Sequence, residues 1–354
     1  MEANSTILPV SHLSVPLRAL HGTTVIIADI LGIIGNLLVI ISIAKTPELH
    51  TSHNAFVLNL SMSDLLLSVF TVPFYVLAIL AEGWPLSSKV CRFKAKFSLI
   101  LWEVSLLTLA AVATNRYFLV AKSSGTYSRF CSRKQIIFAV LVFWLESLLV
   151  ALFSEFAIEV DIQYLPAFSC CVFNPLDPTT YYFVMVFICI FVVSVLIIVP
   201  VQYFRVLLVI RASGRRVGRA VSTGPCTNDQ HQLSCQNRPN ASGITKDEIR
   251  LLKMFVLLSF FHVISYIPIS IVYLFGVTSP MLFQGARFGM FILSTTVAIN
   301  PILYAWMNQK IRHACCRLLK SKKRVFNLTL GRQMEQAQYW LTNSCQDFCR
   351  RTND

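Results

Sequence analysis

A helix needs about 20 apolar residues to cross a bilayer, at about 1.5 Å of rise per residue, and this chain supplies seven such runs. They span Thr23–Ala44, Ala55–Leu80, Phe97–Ala121, Ile136–Ser154, Tyr181–Ile210, Leu251–Phe275 and Phe288–Met307. Backbone polar groups in hydrocarbon must hydrogen-bond within the segment, so each run reads as a helix. The expected fold is an all-α membrane protein, a seven-transmembrane helix bundle with a short interfacial helix after the seventh span. Only 14% of the 354 residues are charged and 55% are hydrophobic, which excludes a soluble enzyme and a disordered chain alike.

An odd number of spans places the termini on opposite sides, and basic residues decide which side is inner. With the N-terminus outside, twenty-five Lys and Arg fall in inner segments and six outside (Arg18, Lys89, Arg92, Lys94, Lys96, Arg287). The net charge of +14 thus belongs to a membrane-facing and partner-facing inner surface, and nucleic acid is not a partner. The chain divides into an extracellular arm at 1–22, a seven-span unit at 23–307 with an inner loop at about 212–245, an amphipathic helix at 308–320 and a cytoplasmic tail at 321–354. The first twenty residues hold no apolar core behind a basic start, so the first helix is expected to act as the insertion signal. Of the Asn-x-Ser/Thr sequons outside the spans only Asn4 lies on the outer side, so it is the expected glycosylation acceptor.

Cysteines follow the same logic, since disulfides form on the oxidising side. Cys91, Cys170 and Cys171 are the outer ones, and the preferred bridge is Cys91–Cys170, with Cys171 as the alternative. Cys315 and Cys316 sit just inside the last span, where Ile311, Cys315, Leu318 and Leu319 form an apolar stripe among basic residues. That pattern suits a helix lying in the lipid interface with both thiols palmitoylated; two unmodified cytosolic thiols are the alternative.

Ionisable groups within spans cost about 2.5–3.5 kcal/mol on insertion scales and need a partner or a purpose. Asp29, Asp64, Glu103, Arg116, Glu146 and His262 are such groups. Asp64, with Asn36, Ser105 and Asn300, makes an oxygen-rich cluster suited to water or to sodium, or else a hydrogen-bond network without an ion. Arg116 lies about 37 Å along a helix from Cys91, a full crossing away. There it could pair with Glu248 at the base of the sixth span, or merely anchor its helix end. Glu103 and Glu146 lie mid-span on consecutive antiparallel helices, close enough to meet, and Pro73, Pro200, Pro268 and Pro301 each permit a kink.

Together these residues resemble the rhodopsin-like G-protein-coupled receptors over about Gly35 to Leu319. The marks are Gly35-Asn36, Leu60 to Asp64, Trp84 with Cys91, Asn115-Arg116-Tyr117, Trp144, Pro200, Pro268 and Asn300-Pro301-Ile302-Leu303-Tyr304. The resemblance implies an extracellular ligand bound within the bundle, at Ser98, Trp102, Glu103, Tyr266 and Arg287. It implies that Arg116 engages a heterotrimeric G protein, that Asn300 and Tyr304 rearrange on activation, and that Asn36, Asp64, Ser105 and Asn300 hold sodium and water. Arrestin, a receptor kinase and membrane lipid are the further partners it suggests, and no cofactor is implied.

The departures bear on mechanism. Asn115 stands where the family usually has an acid, leaving Glu248 as the restraint on Arg116 and making raised basal activity an expectation. Tyr266 replaces the usual tryptophan before Pro268, and Leu208 a frequent tyrosine. Ser98 in place of an aspartate disfavours a monoamine, and Ser294 in place of a lysine disfavours retinal. A weaker likeness runs to the melatonin-receptor-like branch and related invertebrate orphan receptors, which leaves a melatonin-like small molecule, a lipid carboxylate and a peptide as ligands. The competing class is an ion-coupled transporter or channel using Asp29, Asp64, Glu103 and Glu146, although no inverted repeat supports it. An intramembrane protease would need paired aspartates in a context that Asp29 and Asp64 lack, so no enzyme activity is expected.

Overall fold

The computed structural model describes residues 14–191, 197–222, 246–275 and 280–320. The chain folds as a helix bundle: α1 (Val15–Lys45), α2 (Ser52–Phe70), α3 (Val72–Leu80), α4 (Ser88–Ala121), α5 (Ser124–Phe130), α6 (Arg133–Phe156), α7 (Pro178–Phe191), α8 (Val199–Ser222), α9 (Lys246–Phe275) and α10 (Pro280–Met307). A last helix, α11, covers residues 309–320. Six segments among the described residues are long and apolar enough to cross a membrane: Val15–Lys45, Ser52–Leu80, Ser88–Ala121, Gly125–Phe156, Ile249–Phe275 and Met281–Met307. The fifth expected span is carried by α7 and α8 on either side of residues 192–196, which lie outside the described set.

The prolines act unequally. Pro73 removes one backbone donor, and the second span breaks just before it at Thr71, whose hydroxyl donates to Leu67 O at 2.9 Å. Pro268 and Pro301 sit inside continuous helices. At Pro301 the carbonyl four residues earlier, Val297 O, loses its helical donor. Asn36 of α1 supplies a replacement, its Nδ2 donating to Val297 O and to Gly32 O at 3.0 Å each. Glycines let the two helices come this close: a Cβ on Gly35 would fall 2.7 Å from Pro301 Cβ and Cγ, and one on Gly32 would fall 2.9 Å from Val297 Cγ2.

Two large apolar clusters, with two small ones, fill the bundle. One, toward the α11 end, gathers Val39, Phe56, Leu60, Leu109, Phe255, Leu258 and Tyr304. The other gathers Val25, Tyr75, Val272, Tyr273, Phe283 and Met290 beneath a small antiparallel hairpin. That hairpin, β1 (Ile162–Leu165) and β2 (Cys170–Phe173), is an element the hydropathy reading does not anticipate. Its turn places Ser169 at φ 51°, in the left-handed region. The chain enters it through a network in which Asn174 Nδ2 donates to Asp161 Oδ2 at 2.7 Å, and leaves it for α7 through Asp177. The Asp177 Oδ2 caps that helix by accepting from the Thr180 amide at 2.8 Å and its hydroxyl at 2.7 Å.

Candidate functional site

The bridge to Cys91 is made by Cys171, not by the preferred Cys170. Successive residues of a strand point to opposite faces, so only one of the two thiols is aimed at Cys91. Cys170 stays free and fully buried, next to Lys94.

Below the hairpin is a cavity of about 80 Å³ between α4, α7, α9 and α10. Its walls are apolar: Leu99, Trp102, Phe168, Phe183, Tyr273, Met290 and Leu293 among others. Two polar side chains of α4, Lys94 and Ser98, line it as well. Lys94 is 3% exposed. Ser98 Oγ donates within the helix to Lys94 O at 2.9 Å. Tyr273 ties the roof to α9, its hydroxyl donating to Phe173 O at 2.9 Å.

Of the five expected pocket residues, Ser98, Trp102 and Tyr266 line this cavity and Glu103 and Arg287 do not. Glu103 is turned away toward α6, where its carboxyl meets Glu146 and Ser147. The two acids face a wide groove of apolar side chains along α6 and α7, including Leu149, Phe153, Val186 and Ile190, which are exposed on the bundle surface. A carboxylate only accepts hydrogen bonds, so two carboxyls in contact must share a proton. Arg287 lies instead over the Phe283 ring at 5.0 Å, with Tyr75, Tyr164 and His21 as electrostatic neighbours.

At mid-depth Asn300 Nδ2 donates to Asp64 Oδ2 at 2.6 Å. The other two members of the expected cluster are engaged elsewhere: Asn36 with Val297 O, and Ser105 Oγ with Leu101 O at 2.9 Å. A second polar link, absent from the sequence reading, joins three helices. Asn59 Nδ2 donates to Thr108 Oγ1 at 2.8 Å and Trp144 Nε1 donates to Asn59 Oδ1 at 2.9 Å. Its legible signal was an asparagine in a span one turn before Asp64.

Toward the α11 end Arg116 is 3% exposed, its guanidinium 5.1 Å over the Phe255 ring. Tyr203 of α8 is buried beside it and near Ser259. Leu208, noted as replacing a tyrosine, points outward, so the tyrosine that approaches Arg116 comes from a turn earlier in α8. Asn115 packs against Cys131. The Glu248 side chain lies outside the described residues, as do Asn4 and the tail. Tyr117 takes part in cation–π contacts with Arg205 at 5.6 Å and Lys122 at 5.7 Å. A cavity of about 350 Å³ opens at this end, lined by Arg116, His53, Asn54, Tyr127, Arg250 and Lys310. In α11 the inward residues are Ile311, Ala314 and Cys315, whereas Leu319, expected on the apolar stripe, is 51% exposed. Cys315 accepts from Ser42 Oγ at 3.1 Å, and burial pushes its thiol pKa up; Cys316 is exposed.

Comparison with known proteins follows this geometry. Residues 35–304 match the family model "7 transmembrane receptor (rhodopsin family)". The chain is 29% identical over 307 residues to melatonin receptor type 1B of Rattus norvegicus, covering 84% of this chain and 77% of that protein. It is 27% identical over 323 residues to melanopsin of Homo sapiens, covering 88% of this chain and 64% of that protein. The crystal structure of squid rhodopsin superposes with a TM-score of 0.73 over 87% of each chain, at 19% identity, a likeness of fold. With a family model matching most of its length, and with six described spans, the α7 and α8 helices, a hairpin-capped cavity and a helix after the last span, the chain belongs to the rhodopsin family of seven-transmembrane receptors.

Proposed function

We propose that this receptor binds a ligand in the hairpin-capped cavity from the extracellular side and activates a heterotrimeric G protein at the opposite, cytoplasmic end. The observation that carries the reading is the cavity at the α11 end with Arg116 at its wall, beside Arg250 and Lys310. A concave basic surface at the inner membrane face suits an amphipathic, acidic-ended partner segment. The basic residue distribution supports the orientation, which also leaves Asn4 outside as a glycan acceptor. Asp64 and Asn300 form the centre of the sodium-water cluster, and signalling is a population shift toward the state in which the inner cavity opens. Cys316, exposed on α11, is the acyl acceptor, while Cys315 is held inward at Ser42; acyl-exchange labelling of Cys316→Ser reports on this. Ser294, 9% exposed, has no amine to form a retinal Schiff base.

The test is nucleotide exchange by a panel of G proteins in membranes with matched surface expression of the unaltered chain, Arg116→Ala and Glu248→Ala. Arg116→Ala is expected to lower exchange by on the order of 10-fold or more, as loss of a charged contact does, and Glu248→Ala to raise it. Exchange that is undiminished in Arg116→Ala defeats the reading, and so does ion flux through reconstituted vesicles without exchange.

A further inference from the structure

The cations at the hairpin end differ in one respect. Arg92 pairs with Glu155 at 2.8 Å, Lys96 pairs with the same carboxylate, and Arg18 pairs with Glu82. Lys94 does not: among the described residues no carboxylate forms an ion pair with it, although its side chain is more deeply buried than any of those three. Its near neighbour is the Cys170 thiol. Burial raises the pKa of that thiol, with Lys94 as a smaller opposing influence, so the sulfur stays neutral and supplies no countercharge. A buried ammonium without a counterion is costly, and proteins normally pair such a charge. This one lines a cavity whose remaining surface is Leu99, Phe168, Phe183, Tyr273 and Met290.

Resting on the receptor reading above, we infer that the ligand is a lipophilic carboxylate, its acid group paired with Lys94 and its hydrocarbon or aromatic body packed between α4, α7, α9 and the hairpin. One ammonium balances one negative charge. A phosphate dianion would bring a second charge into an apolar enclosure with no cation to meet it, so the single lysine selects a monoanion. Arg287 is not among the residues that line the cavity. Ser98 lies one helical turn from Lys94 on the same face of α4, but its one hydroxyl proton is donated to Lys94 O, so the ammonium is the charged donor for the acid.

The experiment is direct binding to the purified full chain, using decanoate, 3-phenylpropanoate and their neutral amides as probes, on the unaltered protein, Lys94→Gln and Ser98→Ala. Binding is read by ligand-induced thermal stabilisation and by equilibrium dialysis. The unaltered protein is expected to prefer carboxylate over matched amide by on the order of 100-fold, the usual size of a desolvated charge pair. Lys94→Gln brings that ratio close to one. The ratio is internal to each variant, so a partly misfolded preparation lowers both affinities and leaves it unchanged. Equal binding of acid and amide by the unaltered protein overturns the inference. So does a preference that survives Lys94→Gln, or no binding of either acid at millimolar concentration. Because no G protein is present, intact carboxylate binding alongside silent nucleotide exchange would sink the signalling proposal and leave this one standing.

Discussion

At the scale of single residues, Gly35 on Pro301 is the tightest fit among the described glycines. A methyl at position 35 would meet the rigid pyrrolidine ring at 2.7 Å, and a ring, unlike a long side chain, has nowhere to swing. Gly35→Ala is therefore expected to cost about 1–3 kcal/mol, as overpacking does, and to lower the melting temperature of the solubilised receptor. Gly83→Ala is the control, since an added methyl there meets only Ala81 O at 3.9 Å; equal melting temperatures for the two variants refute the packing argument. The residue scale is also where sequence reasoning was weakest. Adjacent cysteines in an unassigned loop carry no sign of which meets Cys91, because that depends on a strand register that only the pairing of Cys171 with Tyr164 supplies. The family resemblance puts Glu103 in the pocket, whereas its mid-span depth puts it near Glu146, and the second is what the structure has. It follows Ser98 by five positions, well over a third of a turn out of phase on a helix, so the face that shows Lys94 and Ser98 to the cavity turns Glu103 toward α6.

At the scale of elements, hydropathy was a sufficient guide to the spans, because lipid imposes length and apolarity on each helix independently. It could not reveal the hairpin, whose two strands of four residues are too short for a period-2 signal and are stabilised by the helices beneath. Nor could it show which polar residues join helices. Asn59 bridges α4 and α6 by bonds to Thr108 and Trp144 and thereby fixes three helices at one depth. A double-mutant cycle with Asn59→Ala and Trp144→Phe is expected to give a coupling of ~0.6 kcal/mol, the average for interhelical hydrogen bonds in a membrane protein. Measured by reversible unfolding in mild detergent, a coupling indistinguishable from zero would mean that packing alone aligns these helices. The last helix was legible as amphipathic, but its rotation was not: α11 turns Ala314 and Cys315 toward the bundle and leaves Leu319 outside.

At the scale of the whole molecule, the two cavities lie at opposite ends of α4, the helix that carries Lys94 near one and Arg116 at the other. Between them Asp64 and Asn300 join α2 to α10 through a single 2.6 Å hydrogen bond. Under the proposed function, one continuous element and a buried polar bond would link a ligand at the first cavity to a partner at the second and offer the population shift a physical carrier. The hairpin adds a property of another kind. Phe168, Cys171, Val172 and Phe173 form the ceiling of the first cavity, and that ceiling is stitched to α4 at Cys91. A guest beneath it that leaves toward the hairpin must pass this ceiling. If that is the exit path, dwell time depends on how readily the ceiling lifts as well as on the guest's own contacts, and a weak ligand can still be a slow one. Cutting the stitch with Cys171→Ser should quicken both the arrival and the departure of decanoate in stopped-flow measurements while moving its equilibrium affinity much less; unchanged rates would show that entry runs by a path that avoids the hairpin.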